Sequence, residues 1–543
     1  MPRRSRSPRS RSSSRAAPRS EPALEAGRPL SRSLLWRLGR RFYEREGHEA
    51  WAKGTVPHYI TSNPWIADSY AQVVLGWLRD GVAAGTLDPR EPVHVVELGA
   101  GSGRFGYLFL HRFFDLLGRS PFASQPVRYV LSDFTESTLL PLRAHPALQD
   151  LVAAGRLDFA PFDASLDREI RCSSGTVLAP GTLANPLAVI ANYVFDSLPQ
   201  DCFFLTEEGE LRIGLVTLTS PRAEPILDDP EVLERVEIAW SQGPEVDGYY
   251  GEPDLDRLLT GYRGRLRDTA LLFPVGALRA VQNLARIAGG RLLLLSGDKG
   301  YCHEEMLHGR EEPGMAIHGS FSMMVNYHAL GQLFLDQGGE YLHTTQLAPD
   351  LAVVACLLGG PAGGAIETRL AFEESVERRA PSDFFTLKIA LETSYDSFTL
   401  PQVLAWVRLS GWDPNIFQRC LPALLAAAGS IAATDLEELR QMVQRVGESY
   451  FPIREPIDFP FQLGALLCQF DLFADALPYF ERSVALYGRN PATVYNLGLC
   501  HFHLGELATA LACAEEALAA APDLVAAEDL KLEVEAALED AQP

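Results

Sequence analysis

Several patterns that would identify common protein classes are missing from this 543-residue sequence. Its eight cysteines stand singly, without a C-x-x-C pair or a dense framework, which predicts buried thiols in a reducing compartment. No apolar run approaches the roughly 20 residues that a membrane span needs, so we expect no membrane partner. A Walker loop, a G-x-S-x-G elbow and the protein-kinase signatures are also absent, which removes three common classes of enzyme.

A metal site is not predicted either. His303 and His308 are five positions apart, whereas the zinc-binding pattern H-E-x-x-H places its two histidines on one helix face. On a helix the side chains of His303 and His308 would diverge.

Charge is distributed unevenly along the chain. The formal net charge is −22, yet the first twenty residues hold seven arginines and no acid, which leaves −29 for the remainder. An acidic body repels phosphate backbones, so we do not expect nucleic acid as a partner.

The arginine- and serine-rich segment lacks the apolar core of a secretory signal, and we predict a disordered basic tail over residues 1–28. A mitochondrial transit peptide is the alternative. Arginines outnumber lysines 44 to 4, which fits a GC-rich genome and a bacterial, cytoplasmic protein. A mitochondrial location would follow from the alternative.

Hydrophobic periodicity predicts an α/β architecture for the first two thirds of the chain. Residues 29–90 contain helical spacing at 31–50 and 65–84 and are predicted to form an N-terminal helical cap. Over residues 91–360, short apolar runs alternate with helical segments, which is typical of a seven-stranded, mostly parallel sheet with crossover helices. The predicted strands are 93–98, 128–132, 157–161, 187–192 and 291–296, with a closing hairpin of 341–347 and 351–358 joined by Ala348-Pro349-Asp350.

A long insertion, residues 200–275, follows the fourth predicted strand. It begins with a hairpin signal, in which the apolar runs 202–205 and 211–216 flank the turn Glu207-Glu208-Gly209. Insertions at this place lie at the carboxyl ends of strands, where open α/β sheets bind ligands. We therefore expect the insertion on the substrate side.

Strand signals disappear after residue 380, and helical periodicity dominates. Residues 380–455 are predicted as a helical linker region with breaks at 410–414 and 428–434, and residues 456–540 as tetratricopeptide-like repeats. The evidence for repeats is a period of 34 residues. Its matching positions are Leu463-Gly464, Ala476 and Phe480, then Leu497-Gly498, Ala510 and Ala514. Stacked repeats of this kind present a surface to a partner protein; a plain helical bundle is the alternative.

A glycine-rich turn follows the first predicted strand. The segment Glu97-Leu98-Gly99-Ala100-Gly101-Ser102-Gly103 leads from that strand into a helix, so a ligand can approach both the backbone and the helix N-terminus. The spacing Gly101-x-Gly103-x-x-Gly106 would also fit a dinucleotide-binding turn. Glu97 favours another reading, because a pyrophosphate would be repelled by its carboxylate.

The pattern E-x-G-x-G-x-G resembles motif I of the Rossmann-like methyltransferases. The resemblance implies their fold and S-adenosylmethionine as the cofactor, with Glu97, Gly99, Gly101 and Gly103 around its methionine moiety.

Two further acids follow the next two predicted strands. Asp133 stands where a ribose diol could bind its carboxylate, and Asp163 resembles the acid that meets the adenine amino group in these enzymes. Each could instead be a helix N-cap. Because both occur in register with the glycine turn, we predict that they bind the cofactor.

The fourth predicted strand ends in Asn192-Tyr193-Val194-Phe195-Asp196-Ser197-Leu198-Pro199. This N-x-x-x-D-x-L-P pattern, followed by a hairpin, resembles the MidA-like methyltransferases, which include mitochondrial complex I assembly factors. Segments 59–64, 132–137 and 318–330 agree with it, and the distant resemblance spans about residues 40–358. It implies methylation of an arginine on a partner protein.

In that setting we predict three catalytic residues beside the cofactor, and we expect the first of them, Asn192, to bind the cofactor as well. Asn192 would hold the acceptor atom through its side-chain carbonyl, Tyr193 would wall the pocket, and Asp196 would orient or deprotonate the acceptor. The family usually has Glu where this chain has Tyr193. A guanidinium needs carboxylates, which Asp196 and Asp201 could supply, but a different nucleophile is equally compatible. A strand end followed by a capped helix is the structural alternative.

Three functions therefore stay open. The first is an S-adenosylmethionine-dependent methyltransferase that acts on an N or O nucleophile, such as an arginine of a protein recruited by the repeats. The second is a small-molecule methyltransferase of a biosynthetic pathway. The third is a non-catalytic scaffold, against which the glycines and the three acids argue. The sequence specifies neither the acceptor nor the oligomeric state.

Overall fold

The computed structural model describes residues 23–540, apart from 225, 227, 348–349 and 428–430. Most of the predicted basic tail lies outside these residues, as do Ala348 and Pro349 of the predicted hairpin turn and part of the predicted break at 428–434. Residues 23–28, however, belong to a β-strand, so the predicted tail was too long. That strand is mostly exposed and lies at a sheet edge, so its sequence carries no alternating apolar pattern.

The strands of the described residues are β1 (Ala23–Pro29), β2 (Val93–Leu98), β3 (Val127–Asp133), β4 (Leu157–Pro161), β5 (Ile170–Arg171), β6 (Val177–Leu178), β7 (Leu187–Asn192), β8 (Asp201–Leu205), β9 (Leu211–Thr219), β10 (Glu237–Glu245), β11 (Thr269–Phe273), β12 (Leu292–Asp298), β13 (Gly300–Tyr301), β14 (Ala316–His318), β15 (Ser320–Ser322), β16 (Val325–Asn326), β17 (Glu340–His343) and β18 (Ala352–Leu358).

The α-helices of the same residues are α1 (Leu34–Glu46), α2 (Glu49–Ala52), α3 (Pro64–Ala83), α4 (Arg104–Gly118), α5 (Glu136–Arg143), α6 (Gln149–Ala153), α7 (Pro253–Arg263), α8 (Val275–Ile287), α9 (Tyr327–Asp336), α10 (Ile366–Phe372), α11 (Pro381–Glu392), α12 (Leu400–Leu409), α13 (Pro414–Ala426), α14 (Ala433–Ser449), α15 (Phe459–Cys468), α16 (Phe473–Tyr487), α17 (Pro491–His503), α18 (Leu507–Ala520) and α19 (Val525–Asp540).

Seven strands form the central sheet, in the order β17-β18-β12-β7-β2-β3-β4. Only β18 runs antiparallel to its neighbours, so the predicted seven-stranded, mostly parallel sheet is confirmed. The strand order reverses at β2, which lies between β3 and β7. The crevice outside the carboxyl ends of β2 and β7 is therefore the place where sheets of this kind bind ligands.

Helices cover one face of the central sheet, where α3 and α4 pack on it. Fully buried side chains of these helices, such as Val74 and Phe109, share one apolar core with Val95 and Ile190 of the strands. On the other face, α8 and α9 pack together with a second sheet. Because the strands of this sheet are buried on both faces, β7 and β12 begin with continuous apolar runs, and all six residues of β2 are buried.

The predicted insertion contains this second sheet, of order β1-β9-β8-β11 with β10 also on β9. The predicted hairpin is present as β8 and β9, which pair antiparallel from Leu205 and Leu211. The strand β1 crosses from the N-terminus to join β9. The chain then turns into α1, which begins at Ser33, whose hydroxyl accepts from the Leu35 amide.

The C-terminal part is helical, from α11 to α19, and has its own apolar core. A Cβ added at Gly464 of α15 would lie 2.8 Å from Phe480 of α16, and one at Gly498 of α17 would lie 3.0 Å from Cβ of Cys513 in α18. These two glycines are the repeated positions of the sequence, and they let each helix pair pack closely. None of the described helices is long and apolar enough to cross a membrane.

Candidate functional site

The glycine turn lies at the carboxyl end of β2. Gly99, Gly101 and Gly103 have φ values of 63°, 52° and 74°, in the left-handed region that side chains disfavour. A Cβ at Gly103 would lie 2.5 Å from Leu142, and one at Gly101 would lie 3.0 Å from the Trp51 ring. Space and backbone conformation therefore both require glycine here.

A cavity of about 330 Å³ opens beside this turn. Its lining combines the glycine turn with residues from the ends of β7 and β12 and with residues 43–62 of the N-terminal cap. Of the predicted site residues, Glu97, Gly99, Gly101, Asn192, Tyr193 and Asp196 line it. The structure thus brings the predicted motif I and the predicted catalytic residues to one cavity.

Glu97 lies at the base of the cavity and is 5 % exposed. Its carboxyl accepts a hydrogen bond from the Tyr129 hydroxyl at 2.7 Å. Burial raises the pKa of Glu97 to about 8, although the Tyr129 hydrogen bond opposes the rise. The side chain is therefore mostly protonated at neutral pH and can ionise when a cation arrives.

Asn192 is the last residue of β7. Its side-chain carbonyl accepts a hydrogen bond from the Tyr70 hydroxyl at 2.9 Å, which leaves one of the two lone pairs of that oxygen for the predicted hold on an acceptor. A Cβ at Gly297 would lie 2.8 Å from the same hydroxyl, so this arrangement needs a glycine on β12. The buried amide nitrogen, Nδ2, has no hydrogen-bond partner among the described residues and offers a donor as well.

Tyr193 and Asp196 follow in the turn after β7. Tyr193 has a φ of 50°, which is unusual for a side chain of its size and costs of order 1–3 kcal/mol. Its amide donates to the Gly297 carbonyl at 3.0 Å, which fixes the turn against β12. Asp196 follows in a short 3-10 helix and accepts from the Ser197 hydroxyl at 2.9 Å. Burial raises the pKa of Asp196 to about 6.

Asp133, although at the end of β3 as predicted, does not line the cavity. Its carboxylate accepts from the amide and hydroxyl of Thr135 at 2.9 and 3.0 Å and from the Gly101 amide. It thereby ties β3 to the glycine turn. Burial raises its pKa to about 6 despite these hydrogen bonds.

Asp163 pairs with Arg40 of α1, whose guanidinium also lies 4.6 Å from the centre of the Phe134 ring. Burial tends to raise the pKa of Asp163, but hydrogen bonds from Ser165 and Arg40 outweigh it and lower the pKa. Asp163 is not among the residues that line the cavity.

Asp201, a predicted alternative carboxylate, has a structural position. It is fully buried and accepts from the Ser31 amide at 2.9 Å and the Tyr250 hydroxyl at 3.0 Å. It therefore joins the start of the N-terminal cap to the second sheet, away from the cavity lining.

Several cavity residues were missed by sequence reasoning. Tyr43 of α1 and Trp51 of α2 stack with ring centres 5.7 Å apart and wall the cavity, and nothing in their spacing marks them. Lys299 also lines the cavity and had a usable signal, because the preceding Asp298 ends β12 as Asp133 ends β3. The predicted fifth strand stopped at Ser296, two residues short of Asp298.

The described residues contain no group of three or more His, Cys, Asp and Glu side chains that could hold a metal ion.

Comparison with known proteins identifies one part of the chain. Residues 491–524 match the family model of the tetratricopeptide repeat, which confirms the prediction for the unit formed by α17 and α18. A search of curated proteins found no match.

Two solved structures from Burkholderia thailandensis are similar to this chain at 14 % identity. One is an uncharacterised protein. The alignment covers 90 % of that protein and 63 % of this chain, with a TM-score of 0.39. The other is a methyltransferase candidate of the same superfamily bound to S-adenosyl-homocysteine, with coverage of 90 % and 64 % and a TM-score of 0.41.

Proposed function

We propose that this protein is an S-adenosylmethionine-dependent methyltransferase. The observation that carries the proposal is the turn of three left-handed glycines at the end of the central strand β2. This turn borders a cavity that also receives Asn192 and Asp196 from the adjacent strand β7. The place is the ligand-binding crevice of the sheet.

The cavity's polar groups suit the methionine end of the cofactor. That end carries an ammonium and a carboxylate. Glu97 offers a carboxyl group to the ammonium, and the unpartnered Nδ2 of Asn192 offers a donor to an oxygen. When bound, the cofactor would supply a methyl group on a sulfonium, already activated for transfer.

The adenosine end would meet Asp133 and Asp163, and its binding requires a change in the cap. Arg40 holds the Asp163 carboxylate, and the Trp51 ring packs against Gly101. The Arg40 side chain is 42 % exposed, so it can swing into water at small cost. We propose that α1 and α2 close over the bound cofactor and exclude water, with Tyr43 and Trp51 as the wall.

For the acceptor, we propose an N or O nucleophile that enters the cavity beside Asp196. Asp196 and Asp350 supply carboxylates at the lining, and Lys299 supplies the cation. Alignment of the acceptor with the sulfonium methyl is the main task of such an enzyme. The tetratricopeptide repeat supports a protein as the carrier of the acceptor, because such repeats bind protein segments.

Calorimetry with S-adenosylmethionine and S-adenosyl-homocysteine tests the cofactor. We expect binding at micromolar concentrations, about −8 kcal/mol. Gly101→Val should lose at least about tenfold, because its Cβ would meet Trp51 at a left-handed φ. Gly118→Ala, where a Cβ meets no atom within 4 Å, is the matched control and should bind normally. No binding by the unaltered chain would refute the proposal.

Transfer of a labelled methyl group into cell extract, followed by separation by size, tests the acceptor. We expect label in protein, and less of it for a variant in which the repeat is destabilised. Label found only in small molecules would refute a protein acceptor while leaving the methyltransferase intact.

A further inference from the structure

Two buried carboxyl groups meet at the ends of neighbouring strands. Asp298, the last residue of β12, is fully buried, and Asp196 is 5 % exposed and faces the cavity. The Asp196 amide donates to Oδ2 of Asp298 at 3.1 Å, and the Lys299 amide donates to Oδ1 at 2.8 Å. Asp298 therefore holds the turn that carries Asp196, from beneath the cavity.

The surroundings contain too little positive charge for two buried carboxylates. Lys299 is the only lysine or arginine among the described residues that line the cavity. The other titratable groups near the pair are Tyr43 from α1, Tyr193 in the same turn, Tyr70 and Tyr327 beneath Asp298, and Glu97, Asp350, His58 and His318 of the cavity lining. The tyrosines and acids supply no cation, burial lowers the pKa of His58 to about 4, and His318 is exposed to water. Two like charges in one buried site cannot both ionise cheaply.

The direction of the titrations agrees with this geometry. Burial, then the charge of Asp196, raises the pKa of Asp298 well above its usual value. Burial raises the pKa of Asp196 only to about 6, because Ser197, Ser322 and Lys299 stabilise its charged form. The two groups titrate as a pair.

We infer that Asp196 and Asp298 hold one proton between them. Asp298 is then a neutral positioning residue, and Asp196 is the carboxylate that accepts a proton from the methylated group. The inference deepens the proposed function and rests on it for the second role.

The lone pair of the acceptor nitrogen or oxygen forms the new bond to the methyl carbon. The bond between that carbon and sulfur breaks, and its electron pair stays on sulfur as a thioether. The proton released by the acceptor goes to a carboxylate oxygen of Asp196, from which it can pass to water through the cavity.

Infrared spectroscopy of the protonated carboxyl band, followed against pH, tests the shared proton. Subtracting the spectrum of Asp196→Asn isolates the Asp196 titration from those of Glu97 and Asp133. In the unaltered chain we expect a midpoint near pH 6. In Asp298→Asn the midpoint should stay within about half a pH unit, because an amide resembles a neutral acid. Lys299→Met should raise the midpoint by about one pH unit, because it removes the nearby cation.

Two results would overturn the inference. A midpoint lowered by about one pH unit or more in Asp298→Asn would mean that Asp298 is normally charged. An unchanged midpoint in Lys299→Met would mean that the Lys299 ammonium does not stabilise the charged form of Asp196. This second variant provides the test if Asp298→Asn fails to fold. Calorimetry with S-adenosylmethionine on the same proteins separates this from the proposed function: absent cofactor binding refutes the enzyme, whereas the infrared result decides the proton.

Discussion

The protonation of Glu97 offers a direct test of the site without any ligand. Its pKa is about 8 in the folded protein, against an ordinary value of 4.5. The folded state therefore keeps a proton that the unfolded chain has lost, so the free energy of unfolding is highest below about pH 4.5 and falls as the pH rises towards about 8. At about 1.4 kcal/mol per pH unit, the whole difference is of order 5 kcal/mol.

Glu97→Gln removes this pH dependence, because glutamine cannot ionise yet can still accept from the Tyr129 hydroxyl. Relative to the unaltered protein, we expect the variant to gain about 4 kcal/mol between pH 5 and pH 8.5. Urea unfolding followed by circular dichroism at both pH values measures the gain. The exposed Glu481→Gln serves as the control and should show none. If the Glu97→Gln and unaltered curves run parallel in pH, Glu97 is not a buried neutral acid and the reasoning fails.

Three other variants test the N-terminal cap, the tetratricopeptide repeat, and the contact between α4 and the helical region. Arg40→Met should tighten S-adenosylmethionine binding a few-fold by calorimetry, because Asp163 no longer has to be freed from its ion pair; weaker binding would contradict the proposed adenosine site. Gly498→Leu should destabilise the helical region by about 1–3 kcal/mol in thermal unfolding, because its side chain would enter the contact with Cys513. Cofactor binding should survive this change, and a loss of both would show that the two parts do not act separately. Arg104→Met removes the partly buried ion pair with Glu455, and faster proteolysis of the helical region should follow at a cost of about 1–3 kcal/mol.

The central sheet could be predicted from the sequence because its strands are buried on both faces. Strands β2, β4 and β7 have the predicted bounds, and almost all of their residues are buried. The edge strand β1 could not be predicted, since its stability comes from pairing with β9 rather than from burial of its side chains.

The candidate site was predictable to the extent that it follows strand ends. Glu97, Asn192 and Asp196 lie at the cavity because the carboxyl ends of β2 and β7 meet at one edge of the sheet. The walls contributed by Tyr43 and Trp51 come from helices far away in sequence, and only the packing of the cap brings them there. Arg40 on Asp163 is a long-range contact of the same kind.

The hydrogen-bonding groups of the cavity affect which kind of methyl acceptor it can bind. A guanidinium carries only hydrogen-bond donors. Its N–H groups would face another donor, Nδ2 of Asn192, and a like charge, that of Lys299, and both arrangements are unfavourable. A hydroxyl or an amide can accept from Nδ2 and donate to Asp196 at the same time. Because an unmade hydrogen bond in a buried site costs about 1–3 kcal/mol, this difference is large enough to select between the two classes. We therefore expect an acceptor that both donates and accepts to match Asn192 better than an arginine, which would have to share the Asn192 carbonyl with the Tyr70 hydroxyl.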